Sequence, residues 1–154
     1  MQLIAGHTTE HLPVVRELFI EYANATGLDF CFQNFDQELA ELPGKYAPPS
    51  GRLFLAMNGK QAVGCVALRK LEENICEMKR LYVQPPFRKQ HLGRQLAEAI
   101  IAAAREVGYE GMRLDTLASM KPAIALYESL GFQRIAAYCD NPINEAVFME
   151  LILR

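Results

Sequence analysis

The stretch from Ile75 to Val107 constrains the fold more than any other. Its first part, Glu77-Met78-Lys79-Arg80-Leu81-Tyr82-Val83, carries the alternating, aromatic and β-branched residues that suit a strand. Pro85-Pro86 interrupts that pattern, and the residues from Phe87 to Arg94 are rich in basic side chains. Apolar residues then recur at Leu92, Leu96, Ala99, Ile100, Ala103 and Val107, the period of an amphipathic helix. A strand therefore feeds a basic loop that opens a helix.

The first turn of a helix leaves backbone N–H groups without intrahelical partners and carries the positive end of the macrodipole. With Arg88, Lys89, His91 and Arg94 around it, such a turn makes an anion site, best suited to phosphates. The chain has no Gly-x-x-x-x-Gly-Lys-Ser/Thr loop and no Gly-x-Gly-x-x-Gly after a strand. Nucleotide triphosphatase and dinucleotide-dependent dehydrogenase are set aside.

At 154 residues the chain is expected to form one domain, 1–154, burying roughly 70% of the surface its unfolded form exposes. A net charge of −2 argues against a general nucleic-acid binder, whose footprint is a basic patch or stripe. No apolar run reaches the length of a membrane span, and Met1 to His7 lack the features of a signal peptide, so a cytoplasmic location is expected. The four cysteines, Cys31, Cys65, Cys76 and Cys139, show no Cys-x-x-Cys spacing. Free thiols are expected, with no disulfide and no metal site.

Along the chain, Gln2 to Ala5 suit a short strand, and Thr8 or Thr9 suits the cap of a helix carrying Leu12, Val15, Phe19 and Tyr22. Gly27 ends that helix, and the aromatic segment from Leu28 to Phe35 is expected to fold back over something. A short helix from Asp36 to Leu42 follows. Leu53–Met57 and Gln61–Leu68 read as strands joined at Asn58-Gly59, and with Ile75–Val83 they make an antiparallel meander. The helix from Leu92 closes at Gly108 and leads to a strand from Met112 to Leu117, a parallel crossover. Pro122 opens a further helix, Gly131-Phe132 ends it, and strands from Gln133 to Tyr138 and from Ala146 to Leu153 finish the chain.

Two motifs carry a family resemblance. Arg88 and Gly93, after the Val83-Gln84-Pro85 strand exit and before Leu96, resemble the acyl-CoA pyrophosphate loop of the GNAT acetyltransferase superfamily, written Gln/Arg-x-x-Gly-x-Gly/Ala. His91 stands at the inner glycine position. Histidine tolerates positive φ better than β-branched residues do, so the loop is expected to stay competent, with His91 toward solvent or a phosphate. The second motif, Ala123-Ile124-Ala125-Leu126-Tyr127-Glu128-Ser129-Leu130-Gly131-Phe132, resembles the Ala-x-x-Leu-Tyr-x-x-x-Gly-Phe segment of the same superfamily.

The resemblance spans nearly the whole chain. It implies an α+β (mixed α/β) fold, a mixed and mostly antiparallel sheet of about seven strands with strands four and five splayed, and about four helices. It implies acetyl-CoA as co-substrate, with Leu81, Tyr82 and Val83 pairing with the pantetheine arm. The residues from Arg88 to Arg94 (Arg88, Lys89, Gln90, His91, Leu92, Gly93, Arg94) would then hold the pyrophosphate. It gives Glu77 the role of general base and Tyr127 that of proton donor to the leaving thiolate, with a backbone N–H near Leu81 or Tyr82 at the developing oxyanion. Many relatives carry an Asn where this chain has Met120, so the resemblance leaves one polar contact to the cofactor open.

The expected activity is acetyl-CoA-dependent N-acetyl transfer to a primary amine by direct attack in a ternary complex. The acceptor, most simply a small molecule, would lie between the Phe30-Cys31-Phe32 segment, Tyr138 and the Asp140–Asn144 loop, where Asp29, Glu77 and Asp140 suit a cationic amine. A protein or peptide acetyltransferase and a catalytically silent acyl-CoA sensor stay open as alternatives. No nucleic acid or membrane partner is expected, and a homodimer is left open.

Overall fold

The computed structural model describes residues 1–26, 34–139 and 145–153. The expectations for residues 27–33 and 140–144, Cys31 among them, lie outside the described residues. The strands are β1 (Gln2–Ala5), β2 (Arg52–Asn58), β3 (Gln61–Glu72), β4 (Ile75–Val83), β5 (Gly111–Leu117), β6 (Gln133–Ile135) and β7 (Ala146–Ile152). The helices are α1 (Leu12–Thr26), α2 (Phe35–Ala40), α3 (Leu92–Val107) and α4 (Lys121–Ser129), with 3-10 turns at Gly44–Tyr46 and Pro85–Gln90.

One seven-stranded sheet runs in the order β1-β2-β3-β4-β5-β7-β6. Neighbouring strands are antiparallel except for β4 and β5, which the α3 crossover makes parallel. The β2–β3 hairpin turns through Gly59 and Lys60, with Asn58 opposite Gln61 and Gly59 at φ 63°. That turn lies one residue beyond the Asn58-Gly59 pair read from the sequence.

Two irregularities in β4 shape the site. Cys65 faces Tyr82 and Ala67 faces Lys79, so Arg80 and Leu81 together oppose Val66. This is a β-bulge, and Arg80 sits in it at φ 60°. The extra residue shifts the side-chain alternation, so Glu77, Lys79 and Tyr82 all face the α1 side although their spacing is unequal. The second irregularity is the length of the β4–β5 pairing, which covers Ile75↔Gly111, Cys76↔Met112 and Glu77↔Arg113 only. Beyond Glu77 the two strands part.

The sheet has an apolar core on each face. On one, Leu92, Leu96 and Ile100 of α3 pack on Val66, Leu68 and Met78, joined by Tyr127 and Phe132 around α4. On the other, Val15, Leu18 and Phe19 of α1 pack on Leu53, Leu55, Cys65 and Tyr46. The cores coincide with the apolar faces predicted for α1 and α3.

The local signals held unevenly. α3 begins at Leu92 and stops at Gly108, whose φ of 107° only glycine adopts readily, as predicted. α1 begins later than a Thr8 or Thr9 cap would place it. Its first carbonyl is that of His11, which accepts from Val15 N–H at 3.0 Å, while Thr8 is spent on a preceding turn to His11 N–H. β6 ends at Ile135, short of the predicted Tyr138, because the chain leaves the ladder there and carries Tyr138 back over the sheet.

Candidate active site

Glu77 is the last residue of β4 that pairs with β5, and it is 2% exposed. Its cross-strand partners are Arg69 on β3 and Arg113 on β5, and Arg113 is in turn opposite Glu150 on β7. Charges therefore alternate across four strands on one face. Arg69 donates from Nε to Glu77 Oε1 at 2.8 Å, with a second guanidinium contact of 2.8 Å, while Arg113 turns to Glu150 at 2.7 Å. Tyr138 lies across this row, its hydroxyl donating to Glu77 Oε2 at 2.6 Å and its ring beneath the Arg113 guanidinium at 5.5 Å.

These contacts decide the ionisation of Glu77. Burial is the largest single influence and pushes the carboxyl pKa up, but Lys79, Arg69 and the hydrogen bonds from Tyr138 and Arg69 together hold it below the ordinary carboxylate range. The Tyr138 hydroxyl moves the opposite way, raised by burial and by the Glu77 charge, so it keeps its proton and stays the donor.

Past Glu77 the gap opens. Lys79 on β4 and Asp115 on β5 face each other across it, Nζ to Oδ1 3.9 Å, and Lys79 is also 3.9 Å from Glu77 Oε1. A polar cleft of about 390 Å³ lies on this face. Arg69, Glu77, Lys79, Asp115 and Tyr138 form its floor, and the segment from Asn34 to Tyr46 forms the opposite wall. Arg80 anchors that wall: from its bulge it makes a two-pronged ion pair with Glu38 of α2, both bonds 3.0 Å, and stacks on Phe35 at 5.2 Å.

Tyr127 approaches the gap from the other face. Burial raises its pKa most, and the charges of Tyr22 and Asp115 add to the effect, although Tyr22 belongs to α1 on the far side of the sheet. The end of α4 fixes the residue: Phe132 N–H donates to Tyr127 O and Gly131 N–H to Glu128 O, both 3.0 Å, with the Tyr127 and Phe132 rings 5.7 Å apart. That is a Schellman ending. Part of the Leu-Tyr-x-x-x-Gly-Phe motif is therefore helix termination.

The predicted phosphate loop is a 3-10 turn, Pro85–Gln90, followed by His91 at φ 59° as the N-cap of α3. His91, Lys89 and Gln90 are exposed, and no side chain caps the first turn. Leu92 is wholly buried, so only its backbone is available there. Arg88 folds back, donating from Nε to the Val83 carbonyl at 2.9 Å and lying over the Tyr82 ring, and Arg94 reaches Ser129 of α4 at 2.9 Å. A Cβ built on Gly93 would meet nothing nearer than Leu126 of α4 at 3.9 Å. The fold itself thus leaves room at Gly93, where α3 and α4 meet at the open end of the gap.

These features fit an acyl-CoA. The donors of an uncapped helix turn, an unfilled space at Gly93 and a parted strand edge suit a diphosphate followed by a narrow amide-bearing arm. Leu81, in the bulge, and Tyr82 and Val83 beyond it line that strand, with the Val83 carbonyl already taken by Arg88 and the Tyr82 hydroxyl directed to Glu21 at 3.3 Å. At the position of the missing asparagine, Met120 is the N-cap residue of α4, and its sulfur accepts from the Thr116 hydroxyl at 3.7 Å.

The described cysteines offer no activated thiol. Cys65 and Cys76 are buried, burial pushes both pKa values up, that of Cys76 to about 12, and the exposed Cys139 is raised as well. Among the described residues no group of three or more His, Cys, Asp or Glu could hold a metal ion, and no helix is long and apolar enough to cross a membrane. Sequence reasoning missed Arg69, Asp115 and the roles of Lys79 and Arg80. The alternating charges of β3, β4 and β5 were the available signal, but pairing them needs the register.

Known proteins agree with this architecture. An uncharacterized N-acetyltransferase of Schizosaccharomyces pombe is 44% identical over 133 residues, covering 85% of this chain and 82% of that one. A GNAT-family acetyltransferase of Staphylococcus aureus superposes with a TM-score of 0.82 over 99% of both chains at 20% identity, a likeness of fold. A Bacillus subtilis acetyltransferase solved in complex with CoA superposes with a TM-score of 0.58 over 66% of this chain and 76% of its own, at 22% identity. A family model described as the acetyltransferase (GNAT) family matches residues 13–132, and the chain belongs to that family of acyltransferases.

Proposed function

We propose that the protein transfers an acetyl group from acetyl-CoA to the primary amine of a small molecule, by direct attack with both substrates bound. The observation that carries this reading is the parting of β4 and β5 after Glu77 and Arg113, with the α3–α4 junction at its open end and a polar cleft on the α1 side. Bound acetyl-CoA supplies a thioester carbonyl and a thiolate leaving group. The CoA held by the B. subtilis protein of like fold supports the assignment.

On this reading the backbone N–H groups of Leu92, Gly93 and Arg94, with Lys89 nearby, hold the diphosphate. His91 sets the turn that aims them, and Gln90 borders it. The β4 edge from Leu81 to Val83 orients the arm. Tyr127 keeps its proton through the working pH range and delivers it to the departing sulfur. Glu77 takes the proton the amine loses, directly or through a water. The raised cysteine thiols favour direct transfer over a thioester on the protein.

The wall formed by Asn34 to Tyr46 favours a small acceptor over a polypeptide, which needs an open groove. The test is release of free CoA thiol from acetyl-CoA across a panel of small amines, peptides and lysine-bearing proteins. Release driven by small amines is the expected result. Release with polypeptides alone would move the assignment to a protein acetyltransferase, and CoA binding without acceptor-dependent release would leave an acyl-CoA sensor.

A further inference from the structure

We propose that the acceptor is a zwitterion of the amino-acid type, its amine facing Asp115 and its carboxylate facing Lys79. This deepens the proposed function and rests on it. The cleft floor is not a simple anionic pocket for a cation. The described lining carries four basic residues, Lys45, Arg69, Lys79 and Arg80, and four acidic ones, Glu38, Glu41, Glu77 and Asp115.

Four of these eight charges are satisfied in two close pairs. Arg80 holds Glu38 through two hydrogen bonds, and Arg69 holds Glu77 through two close contacts. Lys79 is different. Its side chain is 10% exposed, yet its ammonium stands 3.9 Å from both Glu77 and Asp115, beyond hydrogen-bond distance, and it makes no hydrogen bond among the described residues. A charge-assisted N–H···O bond closes to about 2.7–2.9 Å. Lys79 therefore keeps all three N–H donors for another acceptor, and it lines the cleft.

The position of the Lys79–Asp115 pair matters as much as its length. Glu77 and Arg113 are the last paired residues of β4 and β5, and Lys79 and Asp115 each lie two residues further on the same face. They flank the gap that opens where the two strands part. An α-amino acid presents an ammonium and a carboxylate on one carbon. Set against the Lys79–Asp115 pair, each of its charges meets the opposite one, and the nitrogen lies on the Asp115 side of the opening. Arg69 stands beside Lys79 as a second cation for the carboxylate. A cleft of about 390 Å³ accommodates such a molecule with its side chain.

A simple cationic amine is the weaker match. It would meet Asp115 but would leave the Lys79 ammonium facing a second positive charge in a partly desolvated site, and like charges placed together are costly.

The experiment compares matched acceptors with acetyl-CoA by release of free CoA thiol: the common amino acids, their amides, and the amines left when the carboxyl group is removed. Expected is at least a ~10-fold higher kcat/KM for one or more amino acids than for the matched amide and amine, equivalent to about 1.4 kcal/mol. Lys79→Met should collapse that ratio toward one, and Lys79→Arg should restore most of it. Calorimetry with CoA on each variant separates a lost acceptor site from a lost fold. Amides or plain amines turned over as well as the acids, or a Lys79→Met variant that keeps the preference, would overturn the proposal and leave the acetyltransferase reading standing. No release with any acceptor would overturn both.

Discussion

The Tyr138 hydroxyl donates to Glu77 Oε2 at 2.6 Å, tying the segment after β6 to the vertex of the β4–β5 splay 61 residues earlier. With Arg69 on the other oxygen, the Glu77 carboxylate is fully engaged although its side chain is almost completely buried. A carboxylate so held anchors the floor of the cleft before it does anything else.

Stability should show this anchoring. The folded-state pKa of Glu77 lies below its ordinary value, so its contribution is fully present above the unfolded carboxylate range and is lost as pH falls through the folded value. Glu77→Gln leaves the Arg69 guanidinium without its anion and Lys79 with Asp115 alone, and should cost about 3–5 kcal/mol at neutral pH, as breaking a buried pair does. The penalty should shrink on acidification, because only the wild type has the carboxylate to lose. Melting temperatures of both proteins between neutral and strongly acidic pH measure it, and a constant gap would refute the account.

The same low pKa makes Glu77 a weak base, so it cannot strip an ammonium whose pKa lies far above its own. The acceptor nitrogen, received at Asp115 as an ammonium, should attack only after it has lost its proton, with kcat/KM rising with pH until the acceptor's amine is deprotonated. The inflection should then move when the acceptor is exchanged for one of different basicity. An inflection that stays in the carboxylate range with every acceptor would instead make Glu77 ionisation the limiting event.

Gly93 and His91 separate the needs of the fold from those of the cofactor. A Cβ at Gly93 makes only an ordinary contact with Leu126, so Gly93→Ala should leave stability unchanged or raise it by up to about 1 kcal/mol, as glycine replacement inside a helix does. CoA affinity should nonetheless fall, because the added methyl group occupies the side toward the phosphates. His91, at φ 59°, is strained by about 1–2 kcal/mol relative to glycine. His91→Gly should therefore raise the melting temperature and keep CoA affinity. Calorimetry and melting curves on the two variants decide, and a large loss of affinity in His91→Gly would assign its imidazole to a phosphate.

Arg80 is 4% exposed, and burial, the largest influence on its pKa, opposes its charge, yet nearby Tyr46 and Glu38 outweigh burial and hold the guanidinium firmly protonated. Arg80→Met would leave Glu38 without its partner and release α2 from the sheet, at about 3–5 kcal/mol by the same reasoning as for Glu77. Double replacement of Arg80 and Glu38 by apolar residues should recover much of that loss, and denaturant melts of the three variants test it.

Local signals in the sequence were read correctly where local chemistry decides the outcome. Leu92–Val107 ends at Gly108, and α4 closes through Gly131 and Phe132, because periodicity and a left-handed glycine are properties of a few adjacent residues. The parting of β4 and β5 came from the family resemblance alone. Nothing in Ile75 to Val83 marks Glu77 as the last paired residue, and Arg80 gives no local hint of a positive φ in mid-strand. The Tyr138–Glu77 bond and the Lys79–Asp115 pair join distant segments. Those depend on strand order and on the parity change made by the bulge.

Tyr127 presents the sharpest division between structural and chemical roles. Its ring packs against Phe132 and its carbonyl closes the Schellman ending, neither of which involves the hydroxyl. Tyr127→Phe should therefore melt close to the wild type. Its hydroxyl, kept protonated by burial, is the group assigned to the departing sulfur, so turnover should fall by about 10²-fold or more, as for loss of one positioned proton donor. The deficit should narrow with an acetyl thioester whose thiol is more acidic, since that thiolate leaves with less assistance. Steady-state rates with the two thioesters, alongside melting curves, make the distinction. A variant that melts early but turns over normally would assign Tyr127 to the core and leave the proton donor to be found elsewhere around the gap.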